Sequence, residues 1–209
     1  NIADGVNSAV GGGSYNKTRV DSTNATVAGG YGNTAAGSFS TIGGGSGNYV
    51  EGDSDGKYST VAGGAGHEVF GPCSVIGGGW CSQIDGSYAT IPGGRNNSAN
   101  GDYSLAAGYN ACADHDGVLI WADSTGAKLA STANNQFIAR ASGGVKFFSN
   151  SGATTGVELP AGSGSWSSLS DRNAKKDILP VDGREVLNAL SKIDVAKWSY
   201  KSQDGVTHM

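Results

Sequence analysis

One apolar hexapeptide recurs seven times within the first 109 residues, and no other feature narrows the fold as far. It reads SAVGGG (8–13), ATVAGG (25–30), STIGGG (40–45), STVAGG (59–64), SVIGGG (74–79), ATIPGG (89–94) and SLAAGY (104–109). The third positions are Val10, Val27, Ile42, Val61, Ile76, Ile91 and Ala106, spaced 17, 15, 19, 15, 15 and 15 residues apart. A dominant period marks an array of stacked units, each contacting its neighbours. A second element lies between copies: AAGSFS (35–40), VFGPCS (69–74), IDGSYA (84–89) and ANGDYS (99–104). Each unit is therefore a pair of short segments joined by Gly- or Asn-containing turns. Two strands and two turns in one short unit predict a coil of a parallel β-solenoid, and hence a mainly β chain.

Strands stacked about 4.8 Å apart bring Val10, Val27, Ile42, Val61, Ile76 and Ile91 into one apolar core ladder. Thr26, Thr41, Thr60 and Thr90 then alternate outward. An outward threonine row is also what an ice-binding face would show, although Val75 and Leu105 interrupt it. Glycine is 36 of 209 residues, far above the usual ~7%. Only 4 prolines and no G-X-Y period exclude collagen. At 37% hydrophobic residues the core is expected to be thin. One ladder per coil buries little apolar surface, so the roll is expected to pack against copies of itself. The simplest such assembly is a homotrimer about the long axis.

Charge excludes other partners. Residues 1–170 carry 7 Lys/Arg against 12 Asp/Glu, and 171–209 carry 7 against 6. Neither part forms the basic patch that nucleic acid requires. No apolar run approaches the ~18 residues of a membrane span. Cys73, Cys81 and Cys112 lack metal-site spacing and are expected to be free thiols packed between coils. No metal site and no cofactor are expected. EGDSDGKYS (51–59) places Asp53, Asp55 and Gly56 as in a calcium loop but lacks the remaining ligands, so it reads as an exposed loop. His67 and His115 read as surface or packing residues. Trp80 and Arg95, just after glycine runs, are expected on an exposed rim.

The units NSAVGGGSYN (7–16) and GNTAAGSFSTIGGGSGN (32–48) resemble the head repeats of trimeric autotransporter adhesins. The resemblance covers about residues 5–112 and implies a trimeric left-handed parallel β-roll, here as domain 1–113. It also implies an adhesive surface for a cell-surface receptor or glycan. The glycine triplets depart from the commoner Ala-Ile-Gly form of that family. The repeat begins at the first residues, so a fragment of a longer surface protein is expected.

After Ala113 the motif stops. GVLIWADS (117–124) reads as a strand. NQFIARASGGVKFFSN (135–150) alternates on both sides of Gly143-Gly144, a hairpin signal. LPAGSGSW (159–166) reads as a Gly/Ser linker. This stretch, 114–169, resembles the connector of bacterial and phage surface proteins that end in a self-cleaving chaperone domain.

From Ser170 the chain changes character. Asp182 and Glu185 make a capping-box-like pair, and Val186, Leu187, Leu190 and Ile193 follow at helical spacing. A helix is predicted over about 183–193, suited to a trimeric bundle, with a strand near 195–200. The S-D-x-x-x-K start, VLNAL, WSYK and His208 together resemble the intramolecular chaperone of phage endosialidase-type tail spikes. Residues 170–209 cover only the beginning of that domain, so this stretch alone is expected to be inactive.

The resemblance implies a self-cleaving serine peptidase that trimerises, guides folding of the fibre before it, and then cuts itself off. Carried over, the cut falls between Ser170 and Asp171, with Ser170 as nucleophile, Lys175 as general base and His208 assisting. A lysine serves as base when desolvation or nearby cations such as Arg172 and Lys176 lower its pKa. The expected setting is extracellular, on a cell surface or a virion tail. A trimeric adhesin and a phage tail fibre or spike for host receptor binding both fit. A polysaccharide depolymerase would need paired carboxylates in a groove.

Overall fold

The computed structural model describes residues 1–52, 56–169 and 178–194. It is a parallel β-solenoid of about nine turns, followed by a small sheet and one short helix. Two compact units result: Asn1–Val145 with Leu159–Trp166, and Lys146–Glu158 with the chain from Ser167 onward.

Two stacks of short parallel strands run through the first unit. One begins at Ile2–Ala3 and Lys17–Thr18 and ends at Leu129–Ala130. The other begins at Ala9–Val10 and ends at Phe137–Arg140. In this second stack Val10 lies opposite Val27, Val27 opposite Ile42, Ile42 opposite Val61, Val61 opposite Ile76 and Ile76 opposite Ile91. All are buried except Val10, which is partly exposed near the open end. Val50, Val69 and Ile84 of the first stack complete the core with them. Each such side chain contributes about 1.5–3 kcal/mol on burial. The core is one side chain deep from each stack, so every rung matters.

The sequence predicts two strand rows per coil, and the fold adds a third. Single parallel bridges join Ser14, Tyr31, Ser46, Ala65, Trp80 and Arg95 in sequence. Each of these residues directly follows a glycine pair. The second glycine of the pair explains the recurrence. At Gly30 the backbone φ is +94°, and a Cβ would lie 2.2 Å from the Gly45 carbonyl oxygen. At Gly45 φ is +88° and the same distance, to Gly64 O, is 2.0 Å. No side chain fits between coils there, whatever its chemistry.

Glycine and asparagine are not the only residues at left-handed turns. One column of such positions includes Asn24, Phe39, Tyr58, Cys73, Tyr88 and Tyr103, with φ between 55° and 61°. This conformation costs an aromatic residue roughly 1–2 kcal/mol. Stacking between coils offsets part of it, with Phe39 on Tyr58 at 5.0 Å and Tyr88 on Tyr103 at 5.1 Å.

The hexapeptide ends at Tyr109, but the parallel pairing continues. Ala106 pairs with Ile120, and Ile120 with Ile138. The rung spacing simply becomes 14 and then 18 residues. The expected hairpin about Gly143-Gly144 does not form. Its first half, Phe137–Arg140, joins the solenoid, and its second half, Gly144–Phe148, enters a three-stranded sheet with Gly156–Pro160 and Ser167–Leu169. Alternation names a strand but not its partner. Placing Ile138 over Ile120 covers the end of the core, which a local hairpin would leave open. The expected linker 159–166 is instead mostly the loop of an antiparallel pair, in which Gly156 opposes Leu169.

Arg140 ties down the last turn. Its Nε donates to Asp123 Oδ1 at 2.9 Å and its Nη1 to Ala127 O at 2.7 Å. The Asp123 carboxyl is held well below the usual carboxylate range by hydrogen bonds from Thr125, Ser142 and Arg140.

The helix spans Gly183–Leu190, ending three residues before the predicted boundary. Asp182 caps it, its Oδ1 accepting from Arg184 N at 2.8 Å. Beyond Leu190 the chain tightens, with Lys192 N donating to Ala189 O and Ile193 N to Leu190 O. The expected strand near 195–200 lies outside the described residues.

Candidate functional site

Ser170, Asp171, Lys175 and His208 lie outside the described residues, as do Asp53 and Asp55 of the acidic loop. The segments flanking the expected Ser170–Asp171 cut are described. Ser167–Leu169 is the edge strand of the three-stranded sheet and leads straight into Ser170. Leu169 is partly buried against its partner strand. Past the site, Ile178, Leu179 and Val181 are all more than half exposed. The helix that follows buries none of its residues. Val186, Leu187 and Leu190, with Ile193 just beyond, make an apolar stripe at 42–66% exposure. An amphipathic helix of eight residues is too short to hold itself in water and needs a partner surface.

Within the solenoid, polar side chains staple coil to coil. Asn16, Asn33, Asn48 and Asn97 are buried at equivalent positions. Asn33 Oδ1 accepts from Asn48 N at 3.0 Å, while its Nδ2 donates to Gly29 O and Gly45 O at 2.9 and 3.0 Å. Both amide protons and the carbonyl oxygen are thus engaged. The signal was in the sequence as G-G-x-x-N, but Asn read only as a turn residue. Serines form a second ladder: Ser59 Oγ accepts from Ser74 N and Ser74 Oγ from Ala89 N, both at 3.1 Å.

His67 takes the asparagine position in its coil and is fully buried. Its N donates to Asn48 Oδ1 at 3.1 Å, and its Nδ1 accepts from Ser82 N at 3.2 Å. That geometry puts the proton on Nε2, a buried atom without a well-formed hydrogen bond. Burial holds its pKa below the ordinary value, so the ring is neutral at neutral pH.

The cysteines divide. Cys73 and Cys81 are exposed rather than packed between coils, because they occupy turn positions, and Cys112 is buried. Cys112 Sγ donates to Asp114 Oδ1 at 2.9 Å, and burial pushes the thiol pKa up. Asp114 is held low by that bond and by the Asn100 amide, with Lys128 3.9 Å away. A protonated, buried thiol is a poor nucleophile. Asp102 and Asp116 likewise serve turns, accepting from Ser87 N at 2.8 Å and Asp102 N at 2.9 Å. Among the described residues no group of three His, Cys, Asp or Glu is placed to hold a metal ion. No described helix is long and apolar enough to cross a membrane. Trp80 and Arg95 are both exposed, and the Arg95 guanidinium lies 5.5 Å from the Tyr109 ring centre.

Comparison with known families gives one match. The family described as chaperone of endosialidase matches residues 170–209. Among curated proteins, none matches the chain.

Proposed function

We propose that this chain is a shaft segment of a homotrimeric fibre of the phage-tail or adhesin type, followed by the start of its folding clamp. The observation that carries this reading is the chaperone-of-endosialidase match at residues 170–209, which follows a β-solenoid and a small three-stranded sheet. The uncovered stripe Val186, Leu187, Leu190 supports it, since three such helices about an axis bury one another. Registering three parallel solenoids is non-local and slow to nucleate. A clamp at one end sets register and lets the coils zip from there. The virion tail is the favoured setting, because the matched family's namesake activity belongs to phage tail spikes.

Processing is the finer part of the proposal. Ser170 Oγ, its proton taken by Lys175, attacks the Ser170 carbonyl carbon of a neighbouring chain; the Asp171 amine leaves with that proton, and water then hydrolyses the ester. One amide is consumed, leaving a carboxylate on Ser170 and an amine on Asp171. Release of the clamp leaves a fibre held by its unfolding barrier rather than by equilibrium. The intact mass of the full-length gene product tests this beside Ser170→Ala. A product ending at Ser170 in the parent and none in the variant is the expected pair. An uncut parent that is still trimeric by light scattering would make the clamp permanent.

A further inference from the structure

The two faces of the solenoid differ in one property that its repeats do not require. The outward positions of the first stack carry Lys17, Arg19, Glu51, Glu68, Asp85 and Asp114. Those of the second stack, from Ala9 to Ala139, contain no Asp, Glu, Lys, Arg or His. They are Thr, Ala, Gly, Pro and Val at first, and then large apolar residues. Leu105 lies opposite Leu119, and Leu119 opposite Phe137, on the outer side. Trp121 sits beside them, with Leu119, Trp121 and Phe137 40–71% exposed. Thr41, Gly43, Ala62 and Gly77 are exposed as well.

We propose that this uncharged face of the second stack is where further copies of the same chain pack, with the Leu119–Trp121–Phe137 patch as its anchor. The inference rests on the homotrimer reading and assigns its interface. Two arguments choose a second copy over a different partner. A stack repeating every ~4.8 Å presents its side chains at that interval, and only another parallel stack has the matching interval over nine coils. Copies related by a long axis also bring each position that faces the axis up to its own equivalents at the same height, so any charge there would meet its own like. A face that omits charge over its whole length, in a chain with 32 charged residues, avoids that clash. Small residues let the sheets approach closely, and the large ones are confined to the C-terminal turns of the solenoid.

The test uses the full-length protein. Thr41→Glu, Thr60→Glu and Thr90→Glu together put three carboxylates on the proposed interface. Thr34→Glu, Gln83→Glu and Ser98→Glu put three on the opposite face. By light scattering the first variant is expected to fall threefold in mass, to one chain, while the second keeps the parent mass. Equal mass in both would overturn the assignment. Because a carboxylate variant can fail to fold, oxidative cross-linking provides the second readout. With Cys73 and Cys81 changed to Ser, Thr60→Cys is expected to give a disulfide-linked pair on a denaturing gel, and Gln83→Cys none. The reverse pattern would place the interface on the charged face. A parent with the mass of one chain would sink the homotrimer reading itself, whichever residue cross-links.

Discussion

Two residues, His67 and Ser82, interrupt the amide ladder of this solenoid, and protonation of the imidazole is a pH lever. His67 replaces the Asn of G-G-x-x-N and is buried neutral. Its folded pKa lies below about 6.5, the value it takes in an unfolded chain. Between those two values the unfolded state binds more protons than the folded one. Stability is therefore full above about pH 6.5 and falls as pH drops toward the folded pKa. His67→Asn restores an amide that can use both neighbours, as Asn48 and Asn97 do. Thermal melts at pH 7.5 and 5.5 are expected to show a smaller loss of Tm in the variant than in the parent. Equal losses would mean that carboxylates elsewhere set the acid sensitivity.

At the scale of the element, the closest approach between coils, at the glycine pairs, is made through backbone. Adjacent glycines separate that effect from ordinary helix or strand preference. A Cβ at Gly29 would meet nothing nearer than 4.0 Å, whereas one at Gly30 would strike the Gly45 carbonyl and the Asn33 amide. Gly30→Ala is expected to cost about 3 kcal/mol or more, the range of a buried clash combined with a left-handed backbone. Gly29→Ala is expected to change stability by under about 1 kcal/mol. Denaturant midpoints for the two variants check the contrast. The periodicity made the two strand rows and the Val10–Ile91 ladder legible. It did not disclose the third row of bridges, because Ser14, Tyr31, Ser46, Ala65, Trp80 and Arg95 share no side-chain property. They are aligned by the glycines before them, and their own chemistry is free to vary.

For the whole molecule, the helix stripe and the uncharged solenoid face are both exposed in the single chain, and the proposed homotrimer gives each a partner. Leu187→Ser with Leu190→Ser removes the stripe and costs the isolated helix only about 0.5 kcal/mol per residue in propensity. In the full-length protein the yield of trimer on refolding is nevertheless expected to fall at least tenfold, read by light scattering. Trimer yield equal to the parent would mean that the helix does not cluster. The proposed processing residues rest on a short motif, Ser170, Asp171 and Lys175 with the distant His208. A motif shows which groups are available and not how far apart they stand, so their geometry was never legible in the chain.

The sequence by itself determined the coil. Its period sets the rung spacing, its Val and Ile set the inner ladder, and its glycines set where coils touch, because each of these is a local property repeated. It also determined a capped amphipathic helix, since Asp182 and the stripe that follows act within a few residues of one another. Only the tertiary structure decided that the stack runs past Ala113 to Arg140 and that Gly143-Gly144 joins two sheets rather than one hairpin. Strand alternation is the same for a local and a distant partner, and the choice fell to the exposed end of the core. Tertiary structure likewise turned Asn16, Asn33, Asn48 and Asn97 from turn residues into staples between coils. Their value depends on a neighbour 14 to 19 residues away offering a backbone N–H at 3.0–3.1 Å, and only stacking supplies it.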